Sequence, residues 1–231
     1  MYRFVSGIAA LALLSGCKGD APAAQASAAP LAVSADAPSD LPPIMGPEKR
    51  ILAVGDSLFA GYGLNPGESY PSRLEAALRA QGVNARVTNA GVSGDTSAAG
   101  AQRFGFVLDS QKVKPDLVII EFGGNDLLRA LPPAETRKNI EAMLAEAKKR
   151  DLKVVLMGLF TPPNLGTEFR AQFEAIYPEL AKKYGATLVP FFLDGLVGRP
   201  ELIQDDHVHP NAKGVEEVVK RTAGTVASAI K

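Results

Sequence analysis

The sequence predicts an α/β fold of three layers, α/β/α, in which helices cover both faces of a five-stranded parallel sheet. Strand-like and helix-like segments alternate five times along the chain, which is the pattern of βαβ units. The strand-like segments are short apolar runs, as expected when both faces of a sheet are buried. Three of them lead into glycine-bearing turns, and the flavodoxin-like order 2-1-3-4-5 would bring these turns to one edge.

The composition is that of one globular domain with additional residues. The chain has 231 residues, of which 46% are hydrophobic and 22% are charged, enough for a single α/β domain. The 25 basic and 25 acidic side chains balance, so the net charge does not indicate a nucleic-acid partner. The one cysteine excludes an internal disulfide and a multi-cysteine metal site. We expect a monomer without a cofactor.

Residues 1–17 have the features of an export signal. Arg3 supplies a positive start, and residues 8–14 form an apolar stretch too short to span a bilayer. The segment ends in Leu-Ser-Gly followed by Cys17, which resembles the bacterial lipoprotein box. The resemblance implies lipidation of Cys17 and anchoring at the periplasmic face of the bacterial cell envelope. The alternative is an ordinary signal of a soluble periplasmic or secreted protein.

Residues 18–47 are rich in Ala, Pro and Ser and contain almost no large apolar side chains. Such a segment cannot bury enough surface to offset the entropy lost on ordering. We therefore predict a flexible tether here, and a folded domain over residues 48–231.

The first half of this domain contains three predicted strands. Strand one, residues 51–54, ends at a glycine that permits a sharp turn, and a loop rich in Gly and Pro follows over 59–69. A helix over 70–81 has its apolar residues on one face. Strand two (85–89) leads to a second glycine turn and a weaker helix ending near 111, and strand three (117–122) is the most apolar.

The second half repeats the alternation. Residues 133–150 form a strongly amphipathic helix, and strand four covers 153–160. A helix over 167–184 ends at a glycine and precedes strand five over 187–191. A polar loop and a last helix follow, over 204–210 and 211–230.

Ser57 is the first candidate for a chemical role. It follows the carboxyl end of strand one, where open α/β sheets place their ligand sites. We interpret it as a catalytic nucleophile. The alternative is that Asp56 and Ser57 only cap the next helix.

A hydroxyl nucleophile needs a base, and the chain offers His207 and His209, both in the loop after strand five. Asp206 stands three residues before His209, a spacing at which a carboxylate can hold the imidazole in the tautomer that accepts a proton from serine. One alternative is that the loop with Asp206 and His209 is only a solvated acidic turn without a chemical role. A zinc site is another, but no separate third ligand cluster is present, so we expect no metal.

Two further turn residues could stabilise an oxyanion. Gly94 has no side chain to keep a ligand from its backbone N–H, and Asn125 could add an amide donor. Each alone could be an ordinary turn residue. Ser93 competes with Ser57 as nucleophile, but neither serine has the glycine two residues later that an α/β-hydrolase elbow requires.

Four motifs occur in the order found in the SGNH hydrolases, also called GDSL esterases, and the chain resembles that family over residues 51 to about 215. The motifs are Gly-Asp-Ser-Leu at 55–58, Ser-Gly-Asp at 93–95, Gly-Gly-Asn-Asp at 123–126 and Asp-His-Val-His at 206–209. The sequence around them is most similar to the thioesterase I, arylesterase and lysophospholipase branch. One difference is His207, where the family pattern has a small or apolar residue.

The resemblance implies a role for each motif. Ser57 would be the nucleophile, His209 the base and Asp206 its orienting carboxylate. The oxyanion hole would consist of the N–H groups of Ser57 and Gly94 and the side chain of Asn125.

The substrate that this resemblance implies is an ester or thioester with a small or medium acyl group. Apolar residues that follow strand ends could line its site, or could equally be core: Phe59, Tyr62, Leu127, Leu128, Leu131, Phe160 and Leu165. One alternative function is a carbohydrate acetylesterase of the same superfamily, although the residues around the motifs favour the acyl-ester branch. Another is an inactive lipid-tethered binding protein, against which the complete catalytic set argues.

Overall fold

A five-stranded parallel sheet in the order β2-β1-β3-β4-β5 organises the protein, which confirms the predicted fold and strand order. The computed structural model describes residues 46–161 and 163–231, so the predicted signal and nearly all of the predicted tether lie outside the described residues. The strands are β1 (Lys49–Gly55), β2 (Ala85–Gly91), β3 (Leu117–Glu121), β4 (Lys153–Met157) and β5 (Thr187–Val189).

Helices cover both faces of the sheet. The two short helices follow strand ends and are α1 (Ser57–Ala60) and α4 (Gly124–Leu128). The longer ones are α2 (Tyr70–Ala80), α3 (Ser97–Asp109), α5 (Pro133–Lys149), α6 (Thr167–Glu174), α7 (Ile176–Tyr184) and α8 (Ala212–Ala229). Helix α2 packs against α8, whereas α5 packs against α3, α6 and α7.

The core lies between these helices and the two central strands. All five residues of β3 and the five from Ile51 to Gly55 of β1 are buried. This explains the apolar runs at 51–54 and 117–120, because a central strand of a doubly covered sheet has no face in water. Parallel pairing in register sets the ends of β1 and β2 side by side, with Gly55 opposite Gly91.

Four predicted elements differ from the structure. The helix predicted over 167–184 is two helices that meet at Ala175. Pro178 has no N–H to donate to the carbonyl of Glu174, so the helical ladder is interrupted there. Strands β4 and β5 end at Met157 and Val189, earlier than predicted, and the loop predicted over 59–69 begins inside α1. Within the described ranges, no helix is long and apolar enough to cross a membrane.

Candidate active site

Ser57 is the first residue of α1, directly beyond the carboxyl end of β1. Asp56 is the N-cap of this helix, and its Oδ1 accepts a hydrogen bond from the Leu58 N–H at 3.0 Å. The helix ends after one turn at Gly61, whose φ of 81° is left-handed. Capping and a strand-end position for Ser57 therefore occur together, because Asp56 is the N-cap and the half-buried Ser57 begins the helical turn.

A continuous hydrogen-bonded chain joins Ser57 to the loop before α8. The His209 Nε2 atom lies 2.8 Å from Ser57 Oγ, and His209 Nδ1 lies 2.6 Å from Asp206 Oδ2. The structure thus brings together the three residues that the resemblance pointed to, although Ser57 and His209 are 152 positions apart in the sequence.

The Asp206 carboxylate is held by the same loop. Its Oδ1 accepts hydrogen bonds from the backbone N–H groups of Val208 (2.9 Å) and His209 (3.0 Å). Partial desolvation acts to raise the pKa of Asp206, but these hydrogen bonds and the one from the imidazole outweigh it and lower the pKa to about 2. Asp206 is therefore ionised at neutral pH, and its carboxylate can accept a hydrogen bond from His209 Nδ1.

His207 takes a different position. It is exposed, its φ of 59° is left-handed, and its backbone N–H donates to the Gln204 carbonyl in a tight turn. It does not line the cavity that contains Ser57. Among the described residues, no group of three His, Cys, Asp or Glu side chains could hold a metal ion.

Gln204, which the sequence analysis did not single out, links the two loops beside His209. Its Nε2 donates to the carbonyls of Tyr62 (2.8 Å) and Pro210 (2.9 Å), and its backbone N–H donates to the His209 carbonyl. The Tyr62 ring lies against the imidazole, with ring centroids 4.7 Å apart. Tyr62 thus contacts the side of the His209 ring, outside the main cavity.

Gly94 and Asn125, two of the three predicted oxyanion donors, follow the ends of β2 and β3. Gly94 has a φ of 87°, which a side chain would disfavour, and its carbonyl accepts a hydrogen bond from Arg129 Nη2 at 3.0 Å. Asn125 Nδ2 donates to Asp56 Oδ2 at 3.1 Å. In the described ranges, the N–H groups of Ser57 and Gly94 have no protein acceptor.

Arg103 on α3 ties the turn after β2 to β1, and sequence reasoning missed it. Its three guanidinium nitrogens donate to the Gly55 carbonyl (2.9 Å), the Ala90 carbonyl (2.8 Å) and Asp95 Oδ2 (2.7 Å). Three fixed directions from one planar group hold the ends of two strands and the Gly94 turn in one arrangement. The two carbonyls lie 13 and 48 positions from Arg103, so no local pattern in the sequence signals this role.

Two carboxyl groups are buried under the start of α1. Asp56 and Glu121 are 1% and 0% exposed, and the Asp56 N–H lies 3.4 Å from Glu121 Oε2. Burial raises the pKa of Asp56, and hydrogen bonds from Leu58, Glu121 and Asn125 oppose this. Burial and the adjacent Asp56 charge raise the pKa of Glu121 well above its usual range.

An apolar cavity of about 410 Å³, here called the site groove, opens at Ser57 and His209. Its polar end is formed by Asp56, Ser57, Asn125 and His209. The apolar lining comes from segments that follow strand ends, namely Leu58, Leu127, Leu128, Leu159, Phe160, Leu165, Phe191, Leu193 and Val208.

Four of the seven residues that the sequence suggested for the substrate site lie in this lining, namely Leu127, Leu128, Phe160 and Leu165. Phe59 does not, and that prediction was wrong. Its ring is fully buried, stacks on Tyr70 and meets Phe192 edge-on, because α1 turns it inward to the core. Tyr62 lies beside His209 as described, and Leu131 is likewise outside the lining.

The arrangement can perform acyl-transfer chemistry. The imidazole is placed to accept the Ser57 proton, and Asp206 is placed to stabilise the imidazolium that results. Unused N–H donors lie on the turns around Ser57, as a tetrahedral oxyanion requires. The apolar groove can bind the hydrocarbon part of a substrate next to this polar end.

Comparisons with known proteins agree with the fold. Residues 53–216 match the GDSL-like Lipase/Acylhydrolase family. The chain is 40% identical to Esterase TesA of Pseudomonas aeruginosa over 162 residues, covering 70% of this chain and 80% of that one. It is 36% identical to Thioesterase 1/protease 1/lysophospholipase L1 of Escherichia coli K12 over 161 residues, covering 70% and 75%. The crystal structure of AlinE4, an SGNH-hydrolase family esterase, is 60% identical with a TM-score of 0.69, covering 81% and 99%.

Proposed function

Since this chain belongs to the GDSL-like lipase/acylhydrolase family and is a serine esterase of that family, we propose that Ser57, His209 and Asp206 are its catalytic triad. One observation carries the proposal: the hydrogen-bonded chain from Ser57 Oγ through both ring nitrogens of His209 to the Asp206 carboxylate. The geometry matches the order of proton acceptor and orienting acid that a serine nucleophile needs.

In this proposal Ser57 Oγ attacks the carbonyl carbon of the ester while its proton passes to His209 Nε2. The oxygen of the tetrahedral intermediate accepts hydrogen bonds from the N–H groups of Ser57 and Gly94 and from the Asn125 amide. Collapse breaks the bond to the leaving alcohol or thiol, which takes the proton from His209. A water molecule that gives a proton to His209 then attacks the acyl carbon. The bond from that carbon to Ser57 Oγ breaks, Oγ takes the proton back from His209, and the carboxylic acid leaves.

The site groove supports an acyl ester or thioester as substrate. Its volume of about 410 Å³ and its apolar lining fit an acyl group of small or medium size. Asn164 also lines this groove, but most of its other lining residues are aliphatic or aromatic, which favours a hydrocarbon chain over an acetylated sugar. Turnover of acetylated xylan in preference to acyl esters would instead indicate a carbohydrate acetylesterase.

We further propose that the protein is exported and anchored through a lipid on Cys17. The support is the Leu-Ser-Gly-Cys ending of residues 1–17, together with an Ala- and Pro-rich segment before the folded domain. Several acyl chains on one cysteine would hold the domain stably at a membrane, whereas a single chain binds marginally.

The nucleophile is tested with a fluorophosphonate probe and a substrate panel. The wild-type protein should be labelled on Ser57, and Ser57→Ala should lose both labelling and turnover of p-nitrophenyl esters. Ser93→Ala is the matched control and should keep both. The panel runs from acetate to palmitate and includes acyl-CoAs and acetylated xylan. Labelling on Ser93, with Ser57→Ala still active, would overturn the assignment.

A further inference from the structure

Asp56 and Asn125 meet directly behind the nucleophile. Asn125 Nδ2 donates to Asp56 Oδ2 at 3.1 Å, while Asp56 Oδ1 accepts from the Leu58 N–H at 3.0 Å. Over the described ranges, this is the one hydrogen bond that the Asn125 side chain makes. Both side-chain oxygens of Asp56 therefore accept hydrogen bonds, and Oδ2 accepts the one from Asn125.

The contact decides which end of the amide faces the reaction. An amide side chain has two N–H donors at one end and an acceptor oxygen at the other, and a carboxylate can only accept. A reversed amide would set its oxygen against the Asp56 oxygen. With the NH₂ group next to Asp56, one hydrogen is held by Asp56 and the second stays available to an oxyanion at Ser57.

Glu121 lies next to Asp56 and explains how the buried Asp56 side chain can stay ionised. It is fully buried, and its Oε1 has no hydrogen-bond partner among the described residues. Two adjacent buried carboxyl groups cannot both be ionised. Asp56 accepts two N–H hydrogen bonds, so the negative charge resides on Asp56 and the proton on Glu121, which can then donate to Asp56.

We propose that Asp56 is a positioning residue of the oxyanion hole, orienting the Asn125 amide toward Ser57, and that protonated Glu121 holds Asp56 in place. The inference rests on the proposed function, since it takes Asn125 as an oxyanion donor. It gives the acid of the Gly-Asp-Ser motif a role in the chemistry beyond capping α1.

A double-mutant cycle tests the proposal. Asn125→Ala should lower kcat by about 10²–10³ with little change in KM, the effect of losing one oxyanion donor. Asp56→Asn keeps an oxygen for the Leu58 N–H but turns an N–H₂ group toward Asn125, which should reverse that amide and lower kcat comparably. The double variant should be no slower than Asn125→Ala, because the two act as one unit.

Asp126 supplies the matched control. It is a neighbouring buried acid whose oxygens accept from the Ser97 N–H and hydroxyl and from the Thr136 hydroxyl, without contacting the Asn125 amide. Asp126→Asn should lower the melting temperature, and its effect on kcat should multiply with that of Asn125→Ala. A purely structural role for Asp56 would give the same multiplication, and that result would overturn the proposal.

Glu121 provides a second route if Asp56→Asn does not fold, which far-UV circular dichroism will show. Glu121→Gln offers a neutral donor to Asp56 and should retain more activity than Glu121→Leu, which offers none. In an Asn125→Ala background, Glu121→Leu should cause no further loss of kcat. Equal activity of the two Glu121 variants would contradict the positioning role. Failure of wild type to label at Ser57 would instead contradict the proposed function.

Discussion

Replacing Phe59 with Ala should destabilise the domain strongly, although Phe59 lies only two residues from the nucleophile. The ring is 0% exposed, stacks on Tyr70 at a centroid distance of 5.2 Å and meets Phe192 edge-on at 5.8 Å. Truncating a buried Phe to Ala costs about 3–5 kcal/mol. The two aromatic contacts, worth about 0.5–1.5 kcal/mol each beyond burial, place the cost toward the upper end.

For a domain of this size, 1 kcal/mol corresponds to about 2–4 °C in Tm, so Phe59→Ala should lower Tm by about 6–20 °C. Thermal unfolding followed by far-UV circular dichroism measures this directly. The matched control is Phe160→Ala, because the Phe160 ring is 49% exposed at the site groove and stacks on Phe191. Its Tm should change by far less, while kcat/KM for longer acyl esters should fall.

The opposite result would refute this reasoning. If Phe59→Ala melted like wild type and altered the preference for acyl length, the ring would line the groove, as the sequence prediction had it. Loss of stability in Phe160→Ala of the same size would likewise show that the ring at the groove carries core packing.

Three further predictions concern the catalytic loop and the N-terminus. His209→Ala should reduce activity to near the level of Ser57→Ala, and combining these two substitutions should reduce it no further, whereas His207→Ala should keep most activity. Steady-state kinetics on one ester measure this. Higher activity of His209→Ala than of His207→Ala would contradict the prediction. The Asp206 carboxyl should titrate near pH 2 when it is followed by carbon NMR. Because this pKa lies below the usual 3.8, the Asp206 charge stabilises the fold above about pH 4, and the contribution is lost as the pH falls through 2. Titration at the usual pKa would contradict the hydrogen bonding of Asp206. Mass spectrometry of the native N-terminus should find a lipidated Cys17, and an unmodified terminus elsewhere would contradict the anchor.

The sequence predicted the sheet well because its signals are local. Residues 51–54 of β1 and 117–120 of β3 are buried, so each forms a continuous apolar run that can be recognised without knowing its neighbours. Asp206 and His209 could be paired from spacing because both lie in one loop, three residues apart. Glycine turns marked the strand ends that meet at one edge.

The features that sequence reasoning missed depend on distant contacts or on a single helical turn. Arg103 joins carbonyls 13 and 48 positions away, so its role appears only when β1, β2 and α3 are assembled. The inward orientation of Phe59 could not be recognised from sequence, because α1 has only four residues and is too short to show a periodic pattern. The break between α6 and α7 was different, since Pro178 was visible and its missing N–H predicts an interruption.

Because all five strands run in parallel, the chain enters the described domain on the side opposite Ser57. β1 begins at Lys49 at the amino edge of the sheet, and its seven residues span roughly 20 Å to the catalytic edge. Helix α8 returns to the same side, where Ala229 shares a depression with Lys153 and Thr187 at the starts of β4 and β5. A fusion partner or a solid support joined at either end of the domain would therefore be attached on the side opposite the site groove and leave the groove accessible. This orientation suits surface display and immobilisation.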